Sequence, residues 1–481
     1  MRLIHPLIVL RILSNILLIE TVSFLACLPV VFIYGEPSLP FLFSFLITLS
    51  VALVLRYLTR NVKTDEISNR DSFLTVTSAW LLFSLCGALP YILSGTIPSF
   101  IDAFFESSSG FTTTGASVFQ DVESLPFSIL FWRSFTHWIG GIGIIVLVIL
   151  ILPSLKVTGY QLFSLESSLK EKIHPKTKGV ALRIIMIYIV LTFAETILLV
   201  SGDMNLFDSI CHSFGTIATG GFSTRNTSLM NYSPYSQYVV MIFMFLAGVS
   251  QVVYYYMVKL NFKKIKHNEE FWFYLATVIF AGALAFSILM VNSAKQPEEA
   301  FREGFFQTIS IITCTGFASA DFIFWPAAGT MLLFMLMFSG GSTGSTSGGI
   351  KMARHLIVIK NLKSVFVKLL HPGTISPVRL NGKVLDDKTN SSIISFIILY
   401  IFLFIVGTVI LAANGSDTVT SATSVATCMA GIGPGLGTVG PMSNYSGIPE
   451  LSKLVLSIIM IIGRLEIVTV FLMFGKSYWR L

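Results

Sequence analysis

Long apolar stretches dominate this chain, and their lengths predict ten membrane crossings. A helix needs about 20 apolar residues to cross the hydrocarbon core of a bilayer. Stretches that meet this requirement lie at residues 8–34, 39–58, 72–95, 126–153, 180–201, 236–258, 271–292, 326–370, 391–413 and 449–475. A run of small residues interrupts the eighth. The pattern therefore predicts an all-α polytopic membrane protein.

Four further stretches are too short to cross the membrane twice. They lie at residues 98–121, 204–230, 299–322 and 417–445, between pairs of predicted crossings. Each holds a short apolar helix of about 10–14 residues and then a small-residue turn with a glycine, which is typical of a re-entrant segment. The turns are Thr112–Gly115, Ile217–Gly220, Thr313–Gly316 and Ala430–Gly433.

Composition supports this class of protein. Hydrophobic residues make up 54% of the 481 residues and charged residues 12%, whereas a soluble protein carries about 25% charged residues. The five cysteines are isolated along the chain, so neither a disulfide framework nor a zinc site is predicted. The chain has no HExxH motif, and a membrane-bound enzyme is not favoured.

Lysine and arginine residues set the predicted orientation. With a cytoplasmic N-terminus, 24 of the 32 basic residues fall on the cytoplasmic side and three lie at or within membrane segments. Outer or re-entrant segments hold only Arg133, Arg225, Lys295, Arg302 and Lys453. Because basic residues accumulate in cytoplasmic loops, we expect both termini in the cytoplasm and all four turns on the outer face. The net charge of +7 suits anionic membrane lipid or an acidic partner, and no nucleic-acid partner is expected.

One unit is predicted to occur four times after a leading helix pair. Each unit is a helix, a short re-entrant helix, a glycine turn and a second helix. The predicted divisions are a helix pair at 1–67 and repeats at 68–178, 179–267, 268–388 and 389–481. An acidic residue precedes each turn: Asp102, Asp208, Glu303 and Asp417. These carboxylates either cap the short helices or form an outer vestibule that attracts cations, and the two roles are compatible.

Four glycine turns predict a ring of backbone carbonyls around one pore. Glycine adopts the positive φ angles that aim carbonyl oxygens at a common axis. The short helices end at the turns, so their negative dipole ends favour a cation, and such a ring can replace the hydration shell of potassium. The predicted filter residues are Thr113, Thr114, Gly115, Ala218, Thr219, Gly220, Cys314, Thr315, Gly316, Gly431, Ile432 and Gly433.

The interruption of the eighth crossing predicts a non-helical loop within the membrane. Five glycines lie between Ser339 and Gly349, and each costs a helix about 1 kcal/mol relative to alanine. Irregular backbone is tolerated there if it lines a water-filled path, so we expect a movable gate beneath the filter. The predicted gate residues are Gly340, Gly341, Ser342, Thr343, Gly344, Ser345, Gly348, Gly349 and Lys351. A phosphate loop is the rival interpretation, but its Gly-Lys-Ser/Thr ending is missing.

Arg464 lies within the tenth crossing, where a charge is costly and usually faces the interior of the helix bundle. One interpretation is a satisfied buried ion pair with Glu466. The other is a positive charge near the pore that limits cation flow and contacts the gate loop.

Several longer motifs indicate a protein family. They are Asp102–Ser107 with the first turn, Trp138–Gly143, His212–Phe214 with Thr219–Thr224, Gly340–Lys351, Gly433–Gly437 and Gly463–Glu466. Together they resemble the Trk/Ktr/HKT superfamily of potassium transporters, and within it the TrkH type, over essentially the whole chain. The resemblance implies one pore per subunit, homodimers, and filter glycines at Gly115, Gly220, Gly316 and Gly433. It also implies a TrkA-like cytosolic regulatory subunit that binds nucleotide.

The predicted function is potassium uptake across the cytoplasmic, or inner, membrane by channel-like permeation. Potassium is the transported ion, and no covalently bound cofactor is expected. The alternative is a secondary transporter that couples potassium to sodium or protons, because discontinuous helices with mid-membrane sites occur in that class too.

Overall fold

The computed structural model describes residues 4–62, 68–146 and 177–479. Its helices are α1 (Pro6–Leu25), α2 (Leu28–Tyr34), α3 (Leu39–Leu58), α4 (Asn69–Gly87), α5 (Leu89–Leu93), α6 (Phe100–Phe111), α7 (Phe127–Val146), α8 (Thr177–Val200), α9 (Leu206–Ile217), α10 (Pro234–Ala247), α11 (Gln251–Val258), α12 (Phe262–Lys266), α13 (Glu269–Asn292), α14 (Pro297–Ile312), α15 (Ala327–Leu336), α16 (Met352–Leu370), α17 (Asp387–Ala413), α18 (Thr418–Ala430), α19 (Glu450–Arg464), α20 (Ile467–Phe474) and α21 (Lys476–Trp479). The short 3-10 helices are Phe322–Phe324 and Gly437–Val439, and a hairpin pairs β1 (Arg379–Leu380) with β2 (Lys383–Val384). The predicted all-α fold class is confirmed.

The leading helices pack together and against α4. α1 continues through a break at Ala26 and Cys27 into α2, and Pro6–Tyr34 as a whole is long and apolar enough to cross a membrane. α3 packs along α1, and α1 also contacts α4. The predicted crossings at 8–34 and 39–58 therefore correspond to one broken helix and one continuous helix.

Two predicted crossings, 236–258 and 449–475, are sharply bent. Among the described residues, six helical spans pass as straight membrane crossings, but α10 and α11 meet at 96° and α19 and α20 at 112°. The first bend follows Gly248, and the second lies at Glu466, whose φ is 66°. The apolar pattern predicted these two crossings but not their bends, because apolar composition records burial in lipid or protein and does not record direction.

The eighth crossing is interrupted where the glycines predicted. α15 and α16 flank a non-helical segment at 339–350, called here the interruption loop, whose ends Ser339 and Ile350 form a parallel bridge. The predicted crossing at 126–153 is described only as far as Val146, at the end of α7, and its remaining residues lie outside the described ranges.

Four short helices, α6, α9, α14 and α18, each lead into a glycine turn. The side chains of Ser99, Asn205 and Asp417 accept hydrogen bonds from backbone N–H groups in the first turns of α6, α9 and α18. α14 begins instead with Pro297. Oxygen-bearing caps and first-turn prolines both favour helix N-termini, because they satisfy or remove the unpaired N–H groups there.

Two large apolar clusters surround the turns. One joins the leading helices to α4–α7 and α17–α20 and contains the fully buried Trp132, whose indole N–H donates to Gly87 O at 3.1 Å. The other joins α8–α16 around residues such as Tyr274. The turns therefore lie between two packed halves, which hold their backbones in place.

Candidate functional site

The four glycine turns share one backbone conformation. In each, the first and third of three residues have positive φ, between 53° and 90°: Thr113 and Gly115, Thr219 and Gly221, Cys314 and Gly316, and Gly431 and Gly433. The N–H of the middle residue donates to the carbonyl five residues earlier at 2.7–2.8 Å in every turn. Each short helix therefore ends in a left-handed cap of the same geometry.

Three turns hold a side chain in the left-handed region. Thr113, Thr219 and Cys314 have φ values of 53°, 55° and 57°, which β-branched threonine rarely adopts. Such residues cost about 1–3 kcal/mol each and persist where the surrounding structure enforces them, which is common at ligand-binding sites. This strain marks the turns as functional candidates.

The second turn is shifted by one residue from the prediction. The predicted filter residues were Ala218, Thr219 and Gly220, but Gly221, with a φ of 82°, takes the position of Gly115. Ala218 instead lies at the right-handed end of α9. The prediction of Gly220 as the counterpart of Gly115 was wrong because two consecutive glycines conceal the register.

Contacts between the turns close into a ring. Each third-position glycine lies against the carbonyl oxygen of the middle residue in the next turn, and a Cβ atom there would come within 3.0 Å of that oxygen. The pairs are Gly115 with Gly220, Gly221 with Thr315, Gly316 with Ile432, and Gly433 with Thr114. Because the last pair returns to the first turn, the four segments surround one axis in chain order.

An open cavity lies on one side of this ring. Gly115, Gly221 and Gly316 line it together with Pro434, which follows the fourth glycine. Its side walls come from the segments that follow the turns, and Arg133 is part of them. None of the four predicted vestibule acids lines this cavity.

Those four acids have partners of their own. The carboxylates pair or cap as follows: Asp102 with Lys453, Asp208 with Arg225 at 3.4 Å, Glu303 with Lys295 at 2.5 Å, and Asp417 with the N–H of Thr420 at 3.0 Å. Hydrogen bonds from the side chain and backbone of Thr420 lower the pKa of the Asp417 carboxyl. The structure thus favours local pairing and capping over an open acidic vestibule.

A buried ion pair joins the first two turns. Arg133 Nε donates to Glu106 Oε1 at 2.8 Å, and both side chains are almost fully buried. The guanidinium also donates to Ser223 O at 3.3 Å and lies 4.2 Å from the ring centre of Phe222. Arg133, on α7, therefore ties the first short helix to the segment just after Gly221.

His137, one helical turn after Arg133, contacts the same segment. Its Nδ1 lies 2.8 Å from Gly110 O, and its Nε2 accepts from the N–H of Phe222 at 3.2 Å. The ring also packs directly against Gly220. Both ring nitrogens are thus engaged in holding the second turn.

The four short helices have a polar residue at one shared position, which the sequence predictions missed. Nine residues before the third-position glycine, each short helix has a polar residue: Glu106, His212, Gln307 and Ser424. Glu106 and His212 bond the hydroxyls of Ser117 and Ser223 at 3.0 and 2.9 Å. The pattern is visible in the sequence only once the second turn is aligned on Gly221.

The interruption loop lies directly against the turns. Thr346 Oγ1 donates to Ile217 O at 3.1 Å, the N–H of Ser342 donates to Gly248 O at 2.9 Å, and Gly348 abuts Ala430 O. The carboxylate of Glu270 accepts the N–H of Thr343 at 2.6 Å and that of Ala353 at 3.0 Å. These backbone N–H groups are bonded within the protein, unlike those of a phosphate-binding loop.

Arg464 bonds to this loop. Its guanidinium donates to Thr346 O at 2.7 Å and to Gly140 O at 3.4 Å. Glu466 pairs instead with Arg354, so an Arg464–Glu466 ion pair is wrong. The Lys351 ammonium donates to the carbonyl and hydroxyl oxygens of Ser347 within the loop.

Comparisons with known proteins find relatives along almost the whole chain. A family model described as TrkH, cation transport protein, matches residues 39–480. The Trk system potassium uptake protein TrkH of Escherichia coli (strain K12) is 33% identical over 444 residues, which cover 91% of each protein. TrkH of Vibrio parahaemolyticus is 32% identical over 482 residues and covers 98% of this chain and 99% of the relative. The crystal structure of the potassium transporter TrkH from Vibrio parahaemolyticus matches with a TM-score of 0.91 and 30% identity, over 98% of this chain and 99% of that one.

Proposed function

Because the chain belongs to the TrkH family of cation transport proteins, we propose that it takes up potassium through a channel-like pore in the cytoplasmic membrane. Its relatives are potassium uptake proteins, so the chain is a multi-pass transporter and not an enzyme. The closed ring of four glycine turns carries the proposal, because it brings backbone carbonyls from four segments around one axis.

The filter consists of carbonyls from the four turns. Its residues are Thr113–Gly115, Thr219–Gly221, Cys314–Gly316 and Gly431–Gly433, with Ala218 at the inner end of the second segment. Uncharged carbonyl oxygens in a ring offset the dehydration of potassium. The C-terminal ends of four short helices add negative potential at the same place.

The interruption loop is the gate. It lies against the inner ends of the second and fourth turns through Thr346 and Gly348. Arg464 holds it there through Thr346 O, and its charge repels cations from the path below the filter. Residues Gly340–Ser345, Gly348, Gly349 and Lys351 form the moving part, since glycine-rich backbone changes conformation at low cost.

The assembly extends beyond one chain. We propose a homodimer in the inner membrane, with both termini cytoplasmic and a TrkA-like nucleotide-binding subunit on the cytoplasmic face. The asymmetric distribution of lysine and arginine supports this orientation. The relatives' designation as parts of a Trk system supports a separate regulatory partner.

Rubidium flux into proteoliposomes that contain the purified protein tests the function. We expect uptake that follows the potassium gradient and that potassium inhibits more strongly than sodium. Flux that requires an imposed sodium or proton gradient would replace this proposal with coupled secondary transport. An absence of cation-selective flux, with and without the regulatory subunit, would refute it.

Gly115→Ser tests the filter itself. A side chain there would meet Gly220 O, so we expect a loss of preference for potassium over sodium. Gly95→Ser is the matched control, because Gly95 also has a positive φ, 74°, but faces open space. Unchanged selectivity in Gly115→Ser alongside a functional control would remove Gly115 from the filter.

A further inference from the structure

The fourth turn differs from the other three in one hydrogen bond. The Tyr445 hydroxyl donates to Gly433 O at 2.7 Å. In the part of the chain that the structure describes, the equivalent carbonyls of Gly115, Gly221 and Gly316 receive no such bond. One of the four third-position carbonyls is therefore shared with a side chain.

Tyr445 is held firmly enough to orient that carbonyl. Its side chain is buried, with 2% of the residue exposed, and its ring centre lies 5.3 Å from that of Phe105. Its backbone N–H donates to Ser117 O at 2.8 Å, two residues after the first glycine. The phenol is thus fixed from the first repeat while it bonds the fourth.

The other turns obtain support in different ways. Hydroxyl pairs stiffen the first and third turns, where Thr112 meets Thr114 and Thr313 meets Thr315 at 2.8 Å. His137 packs on Gly220 in the second turn. The fourth turn has Ile432 at its middle position and no threonine pair, and the Tyr445 hydroxyl occupies the corresponding role from outside the turn, 3.3 Å from Thr427 Oγ1.

We propose that Tyr445 is a positioning residue that sets the orientation and the field of the Gly433 carbonyl in the cation path. The inference rests on the proposed filter. A carbonyl oxygen has two lone pairs, so one can accept from Tyr445 while the other faces the ion. The shared oxygen offers a weaker field than its three neighbours. Weaker fields favour potassium over sodium, because the smaller ion needs stronger ligands to offset its dehydration.

Tyr445→Phe is the direct test, since it removes only the hydroxyl. We expect the potassium-over-sodium ratio of rubidium-flux inhibition to fall about two- to ten-fold, the range that loss of one net hydrogen bond corresponds to. Tyr400→Phe is the matched control, because Tyr400 is equally buried and its hydroxyl has no partner among the described residues. We expect the Tyr400→Phe protein to have the same potassium-over-sodium ratio as the parent protein.

Replacement of Tyr445 by 3-fluorotyrosine separates positioning from simple packing. Fluorine makes the phenol a stronger donor without removing its bulk, so the potassium-over-sodium ratio should rise above that of the parent, opposite in direction to the change in Tyr445→Phe. If the parent protein is selective and both Tyr445 variants have the same potassium-over-sodium ratio as the parent, the proposed role of Tyr445 is overturned and the proposed filter is unaffected. A parent without selectivity would instead contradict the proposed function. If Tyr445→Phe does not yield monodisperse protein, the fluorotyrosine protein decides alone: a ratio equal to or below the parent's overturns the inference.

Discussion

Two independent constraints act on each third-position glycine of the ring. The φ angles of 82° to 90° disfavour any side chain, and the carbonyl of the next turn occupies the space that a Cβ atom would need. Either constraint alone could be relieved by a small shift of one segment. Because the contacts run around a closed ring, a shift at one turn displaces its neighbours, so these positions tolerate glycine only.

The register of the second turn leads to a test at Gly221. Gly221→Ala should lower potassium selectivity as strongly as Gly115→Ser, because its methyl group would meet Thr315 O. Rubidium flux with potassium and sodium competition measures the effect, and Gly95→Ala controls for a positive φ without crowding. Full selectivity in Gly221→Ala would show that the second turn is aligned incorrectly.

Arg464 is one of the residues that hold the interruption loop in place. Arg464→Ala should raise passive rubidium flux several-fold, since it removes both the bond to Thr346 O and a charge below the ring. Arg464→Lys keeps the positive charge but loses the guanidinium, which donates to two carbonyl oxygens at once, so an intermediate flux is expected. Unchanged or lower flux from well-expressed Arg464→Ala would exclude a restraining role.

At the scale of elements, α7 links the first two glycine turns. Arg133 and His137 lie one helical turn apart on it and both contact Phe222. α19 and the interruption loop perform a similar function on the other side, where Gly463 packs against Met429 O and Arg464 bonds the loop. The short helices are thus positioned by neighbouring helices rather than by their own length.

Removing the Arg133–Glu106 ion pair should destabilise the protein. Arg133→Met leaves the Glu106 carboxylate buried without its cation, which costs about 3–5 kcal/mol for a buried pair. We expect a lower unfolding temperature in detergent. The double variant Arg133→Met with Glu106→Gln should recover part of the loss, because no charge is left unpaired. An unfolding temperature of Arg133→Met equal to that of the parent would mean that the ion pair does not stabilise the fold.

At the scale of the whole molecule, orientation follows from charge. The predicted topology puts the glycine turns outside and the hairpin between α16 and α17 inside, on the side rich in lysine and arginine. The five native cysteines lie in buried or partly buried positions, which keeps the background of surface labelling low. The arrangement can therefore be tested with one introduced cysteine at a time.

Gly447→Cys and Gly373→Cys form a matched pair for this test. Both glycines are exposed and a Cβ atom at either meets open space, so neither change should perturb folding. A membrane-impermeant maleimide should label Gly447→Cys in intact cells, and Gly373→Cys only after permeabilisation. The reverse pattern would invert the proposed topology.

Much of the architecture was predictable because it depends on local physics. Apolar run length predicted the helices, and the glycines between Ser339 and Gly349 predicted the break in the eighth crossing. The bends after Gly248 and at Glu466 were not predictable in this way. A bend depends on what packs against the helix, and hydrophobicity records only that a residue leaves water.

The sequence by itself determined the helical membrane class, the four short helices and the four turns that end them, since each depends on residues adjacent in the chain. Only the tertiary structure decided that Gly221 rather than Gly220 matches Gly115, that Arg464 bonds Thr346 rather than Glu466, and that Tyr445 reaches Gly433. Those outcomes depend on how backbones approach one another across the fold. Residue type restricts which groups can bond, but the packed geometry selects the partner.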